Sequence, residues 1–390
     1  MVGLFWGLIT GRRGRLSAVN LPLAGLRVVE FCWVWAGPMM GQHLADLGAE
    51  VVKVEWYKRF DLYRTRGVER LRGSLPEDIR RESSYSFQSL NRNKLGFASD
   101  LKSEEGLQLV KELITESDVL LENFTVGTLD RLGLPPDELD RLNSRLVSVS
   151  LSATGRGSSI ESLRSYGLML SALGGYESLV TDQNSEFIGS PTFVMSDPNA
   201  ALFGVLAALA GSLHARKTGV GATYECSQIE AVASLIQTPQ RSGSGNAITE
   251  GIFQTLDGDF VALSVDTSSS EDWPFQSAET LETWSGETTT QEVLTQCRDS
   301  GGIATKVEDL AQTENSEIFA GTDVRQSCLH PITGERDIVA TPWRVNGHRA
   351  PVRKPAPILG ESNDYILRNV LGFTEERIED VHNSGVIHED

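Results

Sequence analysis

The sequence predicts an α/β fold: a doubly wound parallel sheet in a large domain, with a smaller α+β domain attached. Three observations carry this. From Leu21 onward, short β-branched runs alternate with helical periods, and strands separated by helices make βαβ units and hence a parallel sheet. The chain has 390 residues, enough for two or so domains at roughly 150 residues each. The pattern changes near residue 245, where glycine and serine cluster over residues 242–246 and a hairpin signal follows.

The elements follow in order. Residues 27–31 read as a strand through Val28 and Val29, and residues 37–47 as a helix closed by Gly48 at its C-terminus. Residues 50–55 form the next strand, with Val51, Val52 and Val54, and residues 95–99 a further one. Residues 104–116 are an amphipathic helix carrying Leu107, Leu109, Val110 and Leu113. A strand at 118–122, a short helix opened by Pro135 and Pro136, and a strand at 146–151 complete the first run. A helix over 198–216, a strand at 222–226 and a helix from about Ile229 come next. Residues 251–255 and 260–265 flank Leu256-Asp257-Gly258-Asp259, an Asp-Gly turn between alternating residues. Two helices, 364–371 and 375–383, form the tail.

Composition excludes several classes. Hydrophobic residues make up 40% and charged residues 23%, an ordinary globular balance. The net charge of −18 argues against wrapping nucleic acid or lying on an anionic membrane, though local positive charge can still hold an anionic small ligand. Cys32, Cys226, Cys297 and Cys328 are scattered with no C-x-x-C pair; neither a zinc ribbon, a redox pair nor a disulfide framework is indicated, and a cytoplasmic location is the simple reading. The six histidines show no metal-ligand spacing, so no metal site is expected. The longest apolar stretch, 200–213, is interrupted by Gly204 and Gly211 and reads as a core helix rather than a membrane span. Residues 1–20 read as an N-terminal extension, since their arginines follow the apolar run instead of preceding it.

Familiar catalytic fingerprints are missing. The first strand is not followed by G-x-G-x-x-G, so the sheet is Rossmann-like without its pyrophosphate loop. No G-x-x-x-x-G-K-[ST] occurs, and Ser242-Gly243-Ser244-Gly245 lacks the leading glycine of a nucleophile elbow.

Several segments in order nevertheless resemble one family, the class III CoA-transferases of CaiB/BaiF type. They are LPLAGLRVVE (21–30), Ala36-Gly37-Pro38, LADLGAEVVKVE (44–55), NRNK (91–94) with DLKSEEG (100–106), ENF (122–124) with LDRLG (129–133), NSRLVSVS (143–150), the 207–221 segment and KPAPILGE (354–361). Each motif is short, but the ordered set is specific. The resemblance implies a large CoA-binding domain made of 21–245 completed by 343–390, a small domain over 246–342, and two chains interlocked in a dimer.

It further implies acyl-CoA:carboxylate CoA transfer, with coenzyme A entering as acyl-CoA substrate and no tightly bound cofactor. The family's nucleophilic aspartate matches Asp197, in Val194-Met195-Ser196-Asp197-Pro198-Asn199; the family more often has glycine where Ser196 stands. By local sequence alone, Asp followed by Pro at a helix start reads as an N-cap, and it is the resemblance that turns the reading toward a nucleophile. The chemistry needs a carboxylate because it must become an anhydride and then a thioester, keeping the thioester's energy on the enzyme between two acids. Gly243 and Gly245 match a glycine-rich loop near the site, or a plain linker.

The CoA contacts implied are Val34, Trp35 and Ala36 on the pantetheine path and Asn123, Phe124 and Arg131 near the adenosine phosphate. Arg164 and Tyr166 would sit near the diphosphate and entrance. Lys58 stands where a basic residue follows the second strand, with Trp56 and Tyr57 intervening. Formyl-CoA enzymes carry Gln where this chain has Trp35, which points to a bulkier or more apolar acyl group; Trp35 reads equally as core. Two alternatives remain at this level. An α-methylacyl-CoA racemase shares the fold but needs a second base, and no histidine lies between His43 and His214. A CoA-binding or structural subunit of a hetero-oligomer is suggested by the short 273–301 segment and the altered Gly302–Val307 block.

Overall fold

Six parallel strands form one sheet in the computed structural model, which describes residues 21–180, 187–189, 194–236, 248–266, 278–309, 312–313, 316, 319 and 321–388. The strands are β1 (Arg27–Phe31), β2 (Glu50–Glu55), β3 (Leu95–Ala98), β4 (Val119–Glu122), β5 (Val147–Ser152) and β6 (Ala222–Ser227), in the order β3-β2-β1-β4-β5-β6. Every pairing is parallel. This is the doubly wound order, in which the chain turns back on itself between β1 and β4 and leaves a crevice at the strand C-termini.

Helices cover both faces, which is why β1 to β4 are buried on successive residues rather than on alternate ones. Successive residues serve opposite cores. Val29, Phe31, Val52, Val54, Phe97 and Leu120 pack with the helix Glu104–Thr115 and the tail helices through Leu109, Leu113, Ile366 and Ile378. Val28, Val51, Val119, Leu121 and Val149 pack with the helix Ala36–Asp46 and the long helix Ser196–Thr218 through Met40, Leu44, Ala200, Ala201, Val205 and Ala208. That long helix is, among the described residues, the one long and apolar enough to cross a membrane by length and composition. One side of it is buried on the sheet through small residues. Gly204 and Gly211 let it come close, since an added Cβ would lie 2.1 Å from the Met40 sulfur or 2.5 Å from Val147.

Two of the expected strands, β1 and β2, carry charges into the interior: Glu30, Lys53 and Glu55 are all buried. Lys94 Nζ is held by both Glu30 oxygens (2.9 and 2.8 Å), by Asn91 Oδ1 at 2.9 Å and by the Pro38 carbonyl at 2.8 Å. Arg64 pairs with Glu55 at 2.8 Å and with Glu82 at 2.5 Å. These pairs survive burial because each charge is both opposed and hydrogen-bonded.

The chain separates into two compact units, Met1–Ile236 with Val324–Asp390, and Gln237–Asp323. The expected limits at 245 and 342 therefore shift. The hairpin Arg325–His330 with Gly334–Val339 belongs to the large unit, where His330 is buried beside Glu82. The tail closes on β3: Ala98 N–H donates to Asn363 Oδ1 at 3.0 Å, and Asp100 N–H to the Val386 carbonyl at 2.9 Å. In the second unit, β7 (Ile248–Gln254), β8 (Phe260–Asp266) and β9 (Ile303–Lys306) form an antiparallel sheet. The Asp-Gly turn joins β7 to β8, with Gly258 at φ +81°. The helices Ala278–Gly286 and Thr290–Asp299 supply Leu281, Val293 and Cys297 to its core. Residues 1–20, Gly243, Gly245 and Trp273 lie outside the described residues.

Candidate active site

The crevice between β1 and β4 is built from the loops that leave those strands. After β1 the chain runs through Cys32–Trp35 into the helix Ala36–Asp46, and after β4 comes Asn123. Asn123 stitches the two loops together: its Oδ1 accepts the Trp33 N–H at 2.9 Å and its Nδ2 donates to the Trp33 carbonyl at 2.8 Å. Gly37 makes this possible, because a Cβ there would stand 2.5 Å from Asn123 Cγ. Phe124 meets Trp33 edge to face at 5.5 Å.

These loops open onto a cavity of about 830 Å³ in the large unit. Of the expected residues, Val34, Trp35, Lys58, Asn123 and Phe124 line it, as do Arg131, Arg164, Tyr166 and Asp197. Ala36 does not; it is buried, and it reaches the site through its backbone. Trp35 lines the cavity and also packs on the Tyr63, Phe87 and Ala356 cluster. The Asn123 amide is taken up by Trp33, so its first role is to shape the wall rather than to meet a ligand. Arg131 donates to Thr128 Oγ1 at 2.8 Å.

Sequence reasoning missed Trp33 and Lys102, which also line the cavity, together with Trp56 and Arg59 on either side of Tyr57 and Lys58. Arg59 lies over the Trp33 ring at 5.7 Å. The signal was present: Arg59 adjoins Lys58, and Lys102 sits in the DLKSEEG segment just after β3. Lys58, Arg59, Lys102, Arg131 and Arg164 make the cavity wall basic in a chain of net charge −18, and such a wall focuses field lines on an anionic ligand.

Asp197 projects into this cavity from the first turn of the long helix. It is not the N-cap. The helix begins at Ser196, and Met195 occupies the cap position with no side-chain cap bond. Pro198 therefore sits within the first turn, where its missing N–H has no intrahelical partner to lose. Ser196 is buried and donates from Oγ to the Gly167 carbonyl at 2.8 Å, tying the helix start to the helix Gly167–Leu173. Gly167 lies against the carboxylate: a Cβ there would be 2.0 Å from Asp197 Oδ2. Burial pushes the Asp197 carboxyl up to about 6, and the Ala36 N–H hydrogen bond and the positive charge of Arg66 pull the other way. Arg66 lies over the Tyr63 ring at 4.9 Å; nothing in the sequence pattern singled out either residue. A carboxylate in an apolar, partly desolvated recess, ionised near neutrality and facing open space, is equipped to be a nucleophile.

The family model described as CoA-transferase family III matches residues 23–274. This chain belongs to CoA-transferase family III. CoA transfer is accordingly its activity, and the parallel sheet with its crevice at β1 and β4 is the fold of that family. The chain is similar to the succinyl-CoA–L-malate CoA-transferase beta subunit of Chloroflexus aurantiacus, with 27% identity over 95% of this chain and 99% of that protein. It is also similar to the mouse succinyl-CoA:glutarate CoA-transferase, with 27% identity over 98% of this chain and 94% of that one. Among solved structures, a CaiB/BaiF family protein from Brucella suis superposes with a TM-score of 0.75 at 23% identity, over 90% of this chain and all of that one. Family III membership is thus carried by the sheet and crevice region, the part of the chain that holds Asp197.

Proposed function

We propose that the protein moves CoA from an acyl-CoA thioester to a free carboxylic acid through covalent intermediates on Asp197. The observation that carries this reading is one carboxylate, Asp197, facing a basic cavity at the sheet's crevice. Asp197 attacks the thioester carbonyl carbon; the new C–O bond forms as the C–S bond breaks, leaving a mixed anhydride and CoA thiolate. The thiolate then attacks the Asp197 carbonyl, forming an aspartyl-CoA thioester and releasing the donor acid as its carboxylate. The acceptor carboxylate attacks that thioester, and the returning thiolate takes the acceptor acyl group and restores Asp197. Each step exchanges one C–O for one C–S bond and needs no oxidant.

In this reading the CoA phosphates lie along Lys58, Arg59, Lys102, Arg131 and Arg164, where charge-assisted contacts are strongest, and Val34 and Trp35 flank the pantetheine. Succinyl-CoA is the donor we propose, with dicarboxylic acids as acceptors. The names of two relatives support that class, as does the charge of Arg66 beside Asp197, which suits a second carboxylate. An interlocked dimer, homomeric or with a paralogous subunit, is part of the proposal. The beta-subunit name of one relative and the exposed Leu202, Phe203, Leu206 and Leu213 on the long helix support it. Four free cysteines support a cytoplasmic location. A racemase needs two bases at one α-carbon, and no histidine is among the described residues lining the cavity.

The test is to incubate the protein with succinyl-CoA and follow a CoA adduct by intact-mass spectrometry and peptide mapping. The expected adduct maps to Asp197 and disappears in Asp197→Ala. Transfer activity retained by Asp197→Ala, or exchange of the α-hydrogen with solvent deuterium without CoA transfer, would overturn the reading.

A further inference from the structure

Val34 has a backbone that its residue type resists. Its φ is +74°, in the left-handed region. The other described non-glycine residues with positive φ are Asn93, Asp323 and Asn346, types whose short polar side chains tolerate it, whereas a β-branched residue there is an outlier that its surroundings must impose.

Asp61 imposes it. Its Oδ1 accepts the Val34 N–H at 2.8 Å and the Tyr63 N–H at 2.9 Å. Its Oδ2 lies 3.0 Å from Lys53 Nζ, and its own N–H donates to Glu55 at 3.0 Å. Lys53 in turn donates to the Cys32 carbonyl at 2.6 Å and to Glu30 at 3.3 Å. Asp61, Lys53 and Glu30 are fully buried, and in that low-dielectric setting a fixed carboxylate holds an N–H firmly. Asn123 grips the preceding residue, Trp33, from the opposite loop. Two residues beyond Val34, Ala36 opens the helix that packs through Ala36 and Met40 on Ala200, Ala201 and Gly204 of the long helix carrying Asp197, and its backbone N–H favours the ionised form of that carboxylate. Asp61 itself does not line the cavity.

We infer that Asp61 is a positioning residue for Asp197: by clamping Val34 in its left-handed conformation it fixes the direction of the Ala36 N–H and with it the orientation of the carboxylate. The inference rests on Asp197 being the group that takes up CoA. It adds a residue 136 positions away in sequence that acts through backbone alone.

The experiment measures the rate of Asp197–CoA adduct formation from succinyl-CoA against pH, in the full-length protein. Asp61→Asn keeps the side chain's size and one acceptor oxygen and removes the charge that Lys53 anchors. The rate falls about 10- to 100-fold, as a reacting group displaced by about 1 Å requires. The acid limb moves to higher pH, because the hydrogen bond that favours the ionised form is weakened. The second arm uses the strain. Glycine holds positive φ unaided, so in a Val34→Gly background the loss caused by Asp61→Asn shrinks to less than about threefold, a coupling read as a double-mutant cycle. A buried ion pair with a merely structural role gives equal losses in both backgrounds. Equal losses, or an unmoved acid limb in Asp61→Asn, overturn the clamp. If Asp61→Asn does not fold, Asn123→Ala loosens the same loop through Trp33, and an unmoved limb there also overturns it. A wild-type protein that forms no adduct overturns both the clamp and the Asp197 reading, whereas a wild-type adduct with unmoved variants overturns the clamp alone.

Discussion

Replacing Gly167 by alanine is the smallest change that reaches Asp197, the proposed nucleophile. The glycine is not in the left-handed region, so alanine meets no backbone penalty, and the only obstacle is space. The added Cβ would lie 2.0 Å from Asp197 Oδ2, 2.4 Å from Val194 Cγ1 and 2.7 Å from Ser196 Oγ. Ser196 is tied to the Gly167 carbonyl at 2.8 Å and has little room to give. The Asp197 carboxylate faces the cavity and yields first, retreating by about 1.4 Å to reach an ordinary contact distance of 3.4 Å. A displacement of that size costs about 10²-fold in the rate of attack, equivalent to about 2.7 kcal/mol. The overpacking costs about 1–3 kcal/mol of stability. The assay is quenched-flow adduct formation with succinyl-CoA, alongside a denaturant melt and a CoA binding isotherm. The expected result is a slow adduct, a folded protein and nearly unchanged CoA affinity. An adduct rate within about threefold of wild type would show that Asp197 does not lie against Gly167 and would refute the site geometry.

Other outcomes follow from the same contacts. Asp197 must be ionised to attack, and burial pushes it up to about 6; adduct formation should be flat above that pH and fall about tenfold per pH unit below it, while a limb in the ordinary carboxylate range would mean that Asp197 is solvated. Lys94→Met strips the buried Glu30 of its closest cation, leaving Lys53 at 3.3 Å, and urea melts should show a loss of about 3–5 kcal/mol; a loss under about 1 kcal/mol would contradict the buried pair. His43 and His330 are held at about 4 in the folded chain, first by burial and then by neighbouring arginines, Asp46 opposing at His43. The unfolded chain takes up those protons near 6.5, so stability falls as pH drops from about 6.5 to 4, by about 1.4 kcal/mol per pH unit for each proton. His43, with neither ring nitrogen hydrogen-bonded, can be replaced by leucine to flatten that slope; an unchanged slope would refute its burial as the neutral form. Leu120→Ala, at a fully buried position between two core layers, should cost about 2–5 kcal/mol in the same melts.

The sheet was legible because its physics is local. Val28-Val29, Val51-Val52 and Val119-Leu120-Leu121 put apolar residues at successive positions, which a strand covered on both faces accommodates, and the intervening helical periods make the crossovers parallel. The expected helix from 198 was short by two residues at its start, and that error mattered: moving the start to Ser196 takes Asp197 out of the cap position and places it in the first turn. Local sequence favoured the cap, because Asp followed by Pro at a helix start is the usual N-cap pattern. The ordered motifs weighted the choice, and the cavity wall supplies its geometry. The charges in the strands, Glu30, Lys53 and Glu55, broke the apolar pattern visibly, yet their partners Asp61, Arg64 and Lys94 lie on separate segments that no periodicity connects.

The amino-acid sequence alone determined the parallel layers and the family and pointed to the carboxylate proposed to react, since these follow from periodicity and from an ordered series of short motifs. Only the tertiary structure decided how that carboxylate is held. The left-handed Val34 and the Ala36 N–H, the close approach of Gly167 and the anchor at Asp61 come from three separate stretches of chain. Their effect depends on distances of a few ångströms between groups far apart in sequence, and hydrogen bonds and steric contacts act over just that range.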